Sequence, residues 1–435
     1  MFGFLRYLAI LLVLSAQAHA AFSVATRSGD RLDVKVWGEP NRGPLFIWLL
    51  NQYGETERAD GIAAILADKG ASVWQVDLLE SLLLERSAEA IRNLDGAPVA
   101  SLLAAAVKAG RRPVVLVACD RMAAPALRGL REWQRQTEGS QAVAGATLFF
   151  PNLYRGTPIA GEDPELLDIV GATNLPVMIM QPALGANRAR LPELMNTLQK
   201  AGSASYSWLV KDVRDYYLLQ VEKPKSESLQ EMAGKAPEAV EQAIRDTPDR
   251  LLAVARLLAA SRKPAAAHPM PDSPGKAATA SATSPAYGLI ERPRRPAPAL
   301  DLVDAHGKRK KLNPGRITLV NFWATWCPPC VQEIPSMNRL AAAYDTEDFN
   351  IVSINFKEDP GHISAFLKRV NVDFPVLLDR DGSASARWKV FAFPSTFLLD
   401  RQGNVRYSVN TAIEWDDPAI KTVIDKLIQE ARGSP

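Results

Sequence analysis

Histidine and cysteine are scarce in this 435-residue chain, with four of the first and three of the second. No histidine occurs between His19 and His268, so an imidazole-based triad cannot form within that stretch. Three cysteines are too few for a disulfide framework. The formal net charge is only +3, and no basic stripe with interleaved aromatics is present. Nucleic acid is therefore not an expected partner. The densest basic run, Lys308-Arg309-Lys310-Lys311, follows Gly307 and reads as the solvated turn of a hairpin. No run of about 20 apolar residues offers a comfortable membrane span. The hydrophobic fraction of 47% and charged fraction of 23% are ordinary for a globular protein, and the length implies at least two domains.

The N-terminus has its own pattern. Arg6 supplies a positive charge, Leu8–Leu14 an apolar stretch, and Ala18-His19-Ala20 a small-residue cleavage site before Ala21. Residues 1–20 thus read as a signal peptide, with an uncleaved anchor as the alternative. No cysteine stands near the site for lipid attachment.

Residues 21–262 alternate strand-like and helix-like segments. Leu45-Phe46-Ile47-Trp48-Leu49-Leu50 is continuously apolar, as a central parallel strand should be. Further strands are expected at Ser72–Val76, Val114–Val117, Ala146–Phe150, Val177–Met180 and Tyr206–Val210, with helices between them and one from Pro237 to Ala260. Such alternation implies a parallel sheet covered on both faces. Residues 263–296 are rich in Pro and Ala and read as a disordered linker. Residues 297–435 alternate again, with a strand at Ile317–Trp323, a helix at Val331–Tyr344 bent at Pro335, and a hairpin turning at Arg401-Gln402-Gly403-Asn404.

Two of the three cysteines stand together in Trp326-Cys327-Pro328-Pro329-Cys330, between that strand and that helix. Two thiols two residues apart at a strand-to-helix junction read as a redox pair, because a helix start favours a thiolate. A zinc site would need two more ligands, and no second Cys or His pair has suitable spacing. A purely structural disulfide across so short a loop would stabilise little. His306 and His362 look isolated, in turns or at the surface. No metal and no cofactor is expected.

Asn321-Phe322-Trp323-Ala324-Thr325-Trp326-Cys327-Pro328-Pro329-Cys330, with Glu333-Ile334-Pro335, resembles the TlpA-type periplasmic thioredoxin-like proteins. Phe393-Pro394-Ser395-Thr396-Phe397-Leu398-Leu399-Asp400 is similar to a second signature of that family. The resemblance covers residues 297–433 and implies a thioredoxin fold, a cis bond before Pro394, and in many members reductant activity. It implies that Cys327 attacks a substrate disulfide and that Cys330, one turn inside the helix, resolves the mixed disulfide. Pro328 and Pro329 suit a first helical turn. Trp326 would shield the site and offer a docking surface, and Phe393 would present its backbone to an extended substrate. Glu333 stands where family members carry a glutamate thought to exchange protons with the thiols. With Asn321 in the preceding strand, it is the only nearby acid the sequence offers.

The element order of 21–262 resembles an α/β-hydrolase. Asn51-Gln52-Tyr53-Gly54 sits where that fold has its oxyanion turn, and Ala118-Cys119-Asp120-Arg121-Met122 where it has its nucleophile elbow. Ala118 and Met122 replace the elbow glycines, Asp120 replaces the nucleophile, and Asp212–Tyr216 holds no histidine. The expectation is therefore an α/β protein: an N-terminal hydrolase-like parallel-sheet domain used for binding, a linker, and a C-terminal thioredoxin fold. Unusual catalysis by Asp120 or Cys119 is the alternative for the first domain. The expected function is periplasmic protein-disulfide oxidoreduction, with exported disulfide proteins as substrates and a membrane electron donor for re-reduction. The alternatives are a delivery protein that recruits one partner to the redox head, or a disulfide oxidase or isomerase.

Overall fold

In a computed structural model, residues 19–110, 113–136, 142–218, 238–270 and 288–432 are described. The expected signal peptide lies outside them except for its last two residues, which open the first strand. Strands β1 His19–Ala25, β2 Arg31–Trp37, β3 Leu45–Leu49, β4 Ser72–Val76, β5 Val114–Cys119, β6 Val143–Phe149, β7 Val177–Pro182 and β8 Ser205–Val210 form one sheet. Their order is β1-β2-β4-β3-β5-β6-β7-β8. β2 is antiparallel to both β1 and β4, and every later pair is parallel. The continuous apolar run of β3 explains its central place. Leu45, Ile47 and Leu49 enter the core on one face, Phe46 and Trp48 the core on the other. The helix Glu57–Asp68 starts where Thr56 accepts a hydrogen bond from the Ala59 amide.

The second sheet contains β9 Ile290–Pro296, β10 Asp301–Asp304, β11 Arg309–Lys311, β12 Ile317–Trp323, β13 Phe349–Phe356, β14 Val376–Asp379, β15 Ser395–Leu399 and β16 Asn404–Val409. The order is β11-β10-β14-β13-β12-β15-β16-β9. β12 runs parallel to β13 through the helix Pro328–Ala342, and β15 and β16 form a hairpin followed by the helix Pro418–Arg432. This βαβ unit joined to a ββα unit is the thioredoxin arrangement. The long apolar β12 is buried along its whole length, so the residues that follow it are delivered to a fixed point.

Two expectations are corrected. The helix after the cysteines begins at Pro328, not Val331, because prolines fit its first positions at no hydrogen-bonding cost. The span 263–296 is not a tether throughout. Its start is strapped to the first domain: Gln134 donates to the carbonyls of Pro264 and Ala266, and Asn174 donates to that of Ala266. Its end is β9, which pairs antiparallel with β16. Pro293 and Pro296 give the segment an unpairable look in sequence, but an edge strand tolerates proline because one side of it needs no partner. Residues 271–287, the middle of the expected linker, lie outside the described residues.

The two domains dock through the loop after β6. Ala160 is buried among Phe322, Phe397 and Trp388 of the second domain. Its amide donates to Asn410 Oδ1, Arg295 donates to the Gly161 carbonyl, and Glu162 and Asp163 pair with Arg292 and Lys389. Gly161 has φ +87°, and a Cβ there would run into the Arg295 guanidinium and the Phe397 ring. Gly161→Ala is expected to weaken docking by at least about 1–2 kcal/mol, since an L-residue in that region is strained before any clash is counted. Scanning calorimetry should then show the two domains melting apart. An unchanged trace would refute this role for the loop.

Candidate redox site

The site is built at the end of β12. Ile317, Leu319 and Trp323 face the core that holds the cysteine helix, and Asn321 lies in the same alternation. Cys327 caps that helix from outside, immediately before its first residue, Pro328. Its sulfur accepts from the Cys330 amide at 3.3 Å, and the two cysteines form a disulfide. Both are buried, with Cys327 5% and Cys330 1% exposed. Trp326 beside them is 37% exposed. Its ring meets Phe393 edge-on at 5.8 Å, and Phe393 packs on Phe356 at 4.8 Å. The Phe393–Pro394 peptide is cis. The structure therefore gathers Trp326, Cys327, Cys330 and Phe393, from two distant segments, at one pole of the second domain.

Glu333 is fully buried behind the helix start. One carboxylate oxygen accepts from Asn321 Nδ2 at 2.8 Å, the other from Trp415 Nε1 at 3.0 Å. Asn321 also donates to Thr396, the second residue after Pro394. Burial pushes the Glu333 carboxyl up from 4.5 to about 7, against the pull of these hydrogen bonds. A carboxyl poised near neutrality inside the helix that Cys327 caps and that contains Cys330 can take or give a proton at ordinary pH.

Sequence reasoning missed a second acid. Glu358, after β13, has a side chain only 2% exposed. It accepts from the Thr325 amide at 2.7 Å, the Thr325 hydroxyl at 2.6 Å and Asn355 Nδ2 at 2.7 Å. Glu333 is thus not the only acid near the motif. His362 is not isolated either, because its Nε2 stands 3.0 Å from Thr325 Oγ1. A threonine just before a Trp-Cys pair is the only local sign of these contacts. Among the described residues, no group of three or more His, Cys, Asp or Glu is arranged to hold a metal.

In the first domain, Asp120 follows β5 with φ +51°. Burial raises its carboxyl pKa, opposed by Arg121, whose Nη1 lies 3.0 Å from Oδ2. Cys119 is buried and its thiol is pushed far up, first by burial and then by Asp120. Such a thiol is a poor nucleophile at neutral pH.

The profile of the Redoxin family matches residues 292–424. Thiol-disulfide oxidoreductase ResA of Geobacillus thermodenitrificans is 32% identical over 123 residues, which span 28% of this chain and 71% of that protein. The chain belongs to the thiol-disulfide oxidoreductase family. ResA of Bacillus subtilis is 36% identical over 111 residues, 25% of this oxidoreductase and 62% of that one. Among solved structures, a protein described as thiol:disulfide interchange protein DsbE from Chlorobium tepidum is 31% identical. It covers 33% of this oxidoreductase and 100% of its own chain, with a TM-score of 0.29. Each match falls on about a third of this oxidoreductase or less, and the Redoxin match lies wholly in the second domain. No helix among its described residues is long and apolar enough to cross a membrane.

Proposed function

We propose that the Cys327/Cys330 pair is the working couple of this oxidoreductase and that it reduces disulfides of exported proteins. The observation that carries this reading is the joint position of the two cysteines: Cys327 caps a helix start, where amides favour a thiolate, and Cys330 is shielded one turn inside. In the reaction, the Cys327 thiolate attacks one sulfur of the substrate disulfide. A Cys327–substrate disulfide forms, and the other substrate sulfur leaves as a thiolate. Cys330 then loses its proton and attacks Cys327 Sγ, which releases the second substrate thiol and forms the Cys327–Cys330 disulfide. Two electrons pass to the substrate, so two must return from a donor, which we take to be a membrane-bound dithiol. Glu333 is the proton partner of Cys330, and the cis-Pro394 loop with Phe393 and Trp326 receives the extended substrate.

The signal-peptide pattern of residues 1–20 supports a periplasmic location. We keep the first domain at about 21–262 and extend the redox domain to begin at β9, a division that the two separate sheets support. For the first domain we infer an α/β-hydrolase-like fold without hydrolase chemistry. Its strand order and the positive φ of Asp120 at the elbow position support the likeness, and the missing histidine argues against a triad. Its docking onto the redox domain supports the delivery reading, in which it presents one partner to Cys327. Acid trapping and alkylation of the chain in its native compartment tests the direction of electron flow. A mainly reduced Cys327/Cys330 pair is expected, and a mainly oxidised pair at steady state would overturn the reductant reading. Insulin reduction by the purified chain tests the chemistry itself.

A further inference from the structure

The first domain reaches the redox motif with one side chain. Arg214 lies on the loop after β8, in the stretch Asp212–Tyr216. Its guanidinium carbon stands 5.1 Å from the centroid of the Trp326 ring. Its Nη2 is 3.5 Å from Glu358 Oε1. Glu358 in turn holds the amide and hydroxyl of Thr325. Arg214 therefore engages both residues that immediately precede Cys327, one through its ring and one through a buried carboxylate. A carboxylate this buried requires a counter-charge. The only other cationic partner it has among the described residues is His362, 3.7 Å away and charged only when protonated. The loop itself is held. Val213 accepts from the Leu184 amide at 3.1 Å, and the rings of Tyr216 and Tyr217 lie 5.6 and 6.0 Å from Phe150.

We propose that Arg214 is a positioning residue of the redox site, a cation supplied by the N-terminal domain that fixes the Thr325–Trp326 turn and favours the Cys327 thiolate. The inference rests on the reading of Cys327 as the attacking thiol. The charged groups around that turn are Arg214 from the first domain, Glu358 and His362 beyond β13, Lys357 beside them, and Glu333 in the cysteine helix. Lys357 stands over the Phe356 ring at 5.0 Å and lines a cavity of about 160 Å³ between the domains, with Arg190 and Asp163. Loss of the Arg214 charge removes a cation near Cys327 and leaves the Glu358 anion uncompensated. Both changes disfavour a nearby thiolate, so its pKa must rise.

The test uses the full chain, reduced, with iodoacetamide labelling of Cys327 followed by peptide mass spectrometry across about pH 4–10. A His362→Gln background leaves Arg214 as the one cationic partner of Glu358 among the described residues. Arg214→Gln is expected to move the labelling midpoint up by roughly 0.5–1 in pH. Arg214→Lys keeps the charge and should stay within about 0.2 of the parent. The double change Arg214→Gln with Glu358→Gln should bring the midpoint back towards the parent. An unmoved midpoint in Arg214→Gln overturns the proposal. So does an equal rise in the Lys and Gln variants, which marks a purely structural contact. Should Glu358→Gln lose its circular dichroism signal, the contrast between Arg214→Lys and Arg214→Gln alone decides between the two roles. Failure of the underlying reading shows separately: the parent chain then reduces no disulfide, or Cys327→Ser keeps its activity, whatever the labelling curve does.

Discussion

Cys327→Ser is expected to lower insulin reduction by roughly 10³-fold or more, because a hydroxyl of high pKa replaces the attacking thiolate. The site offers no substitute nucleophile. Cys330 is 1% exposed, and in the proposed order of attack it reacts only with Cys327 Sγ. Cys119 is buried in the first domain with its thiol pushed far up. Cys330→Ser should behave differently. The first attack remains, the resolving step is lost, and a mixed disulfide with substrate accumulates at Cys327. Non-reducing gels and mass spectrometry distinguish the two outcomes. Equal residual activity in both variants would contradict the assigned order of attack.

The second large effect concerns Glu333. Its folded pKa of about 7 lies above the ordinary 4.5 because of burial. Between those values the folded chain keeps a proton that the unfolded chain has lost. Stability therefore falls as pH rises through that window and stays lower above it. The gap corresponds to about 3 kcal/mol. Glu333→Gln cannot ionise and lacks this slope. Relative to the parent, its unfolding free energy should rise by about 3 kcal/mol between pH 4 and pH 8, measured by urea denaturation. At fixed pH the variant also has a cost, since its amide meets a donor at either Asn321 or Trp415. The slope, not the offset, is the diagnostic. In activity, the parent's rate of disulfide reduction is expected to show an inflection near pH 7 that the variant lacks. Parallel pH profiles for parent and variant would show that Glu333 does not titrate in this range.

Local chemistry is legible in the sequence, and long-range contacts are not. Ile317–Trp323 reads as a strand because its apolar run is continuous, and it is one over the same residues. The cysteine pair, Glu333 and Phe393-Pro394 stand in recognisable local patterns, and the structure brings the cysteines together and Phe393 against Trp326. Glu358 and Arg214 carry no such pattern. Each is an ordinary charged residue in a loop, and only the fold brings it to Thr325 and Trp326. β9 misleads for the opposite reason: its prolines are strong local signals, but its edge position removes the penalty they signal. Lys308–Lys311 reads as a solvated turn. The structure instead makes Arg309–Lys311 a short exposed strand paired with β10, so the charge belongs to the sheet.

That pair of observations bears on how the protein avoids sticking to itself. The second sheet ends on β11 at one side and β9 at the other. One edge presents Arg309, Lys310 and Lys311, and the other carries Pro293 and Pro296, with Arg292 and Arg295 turned to the loop after β6. Charge repels an incoming chain at the first edge, and missing amides deny it hydrogen bonds at the second. An unfolded protein chain with free backbone amides is the kind of chain that adds to open sheets. Both margins of this sheet resist the addition of such a chain.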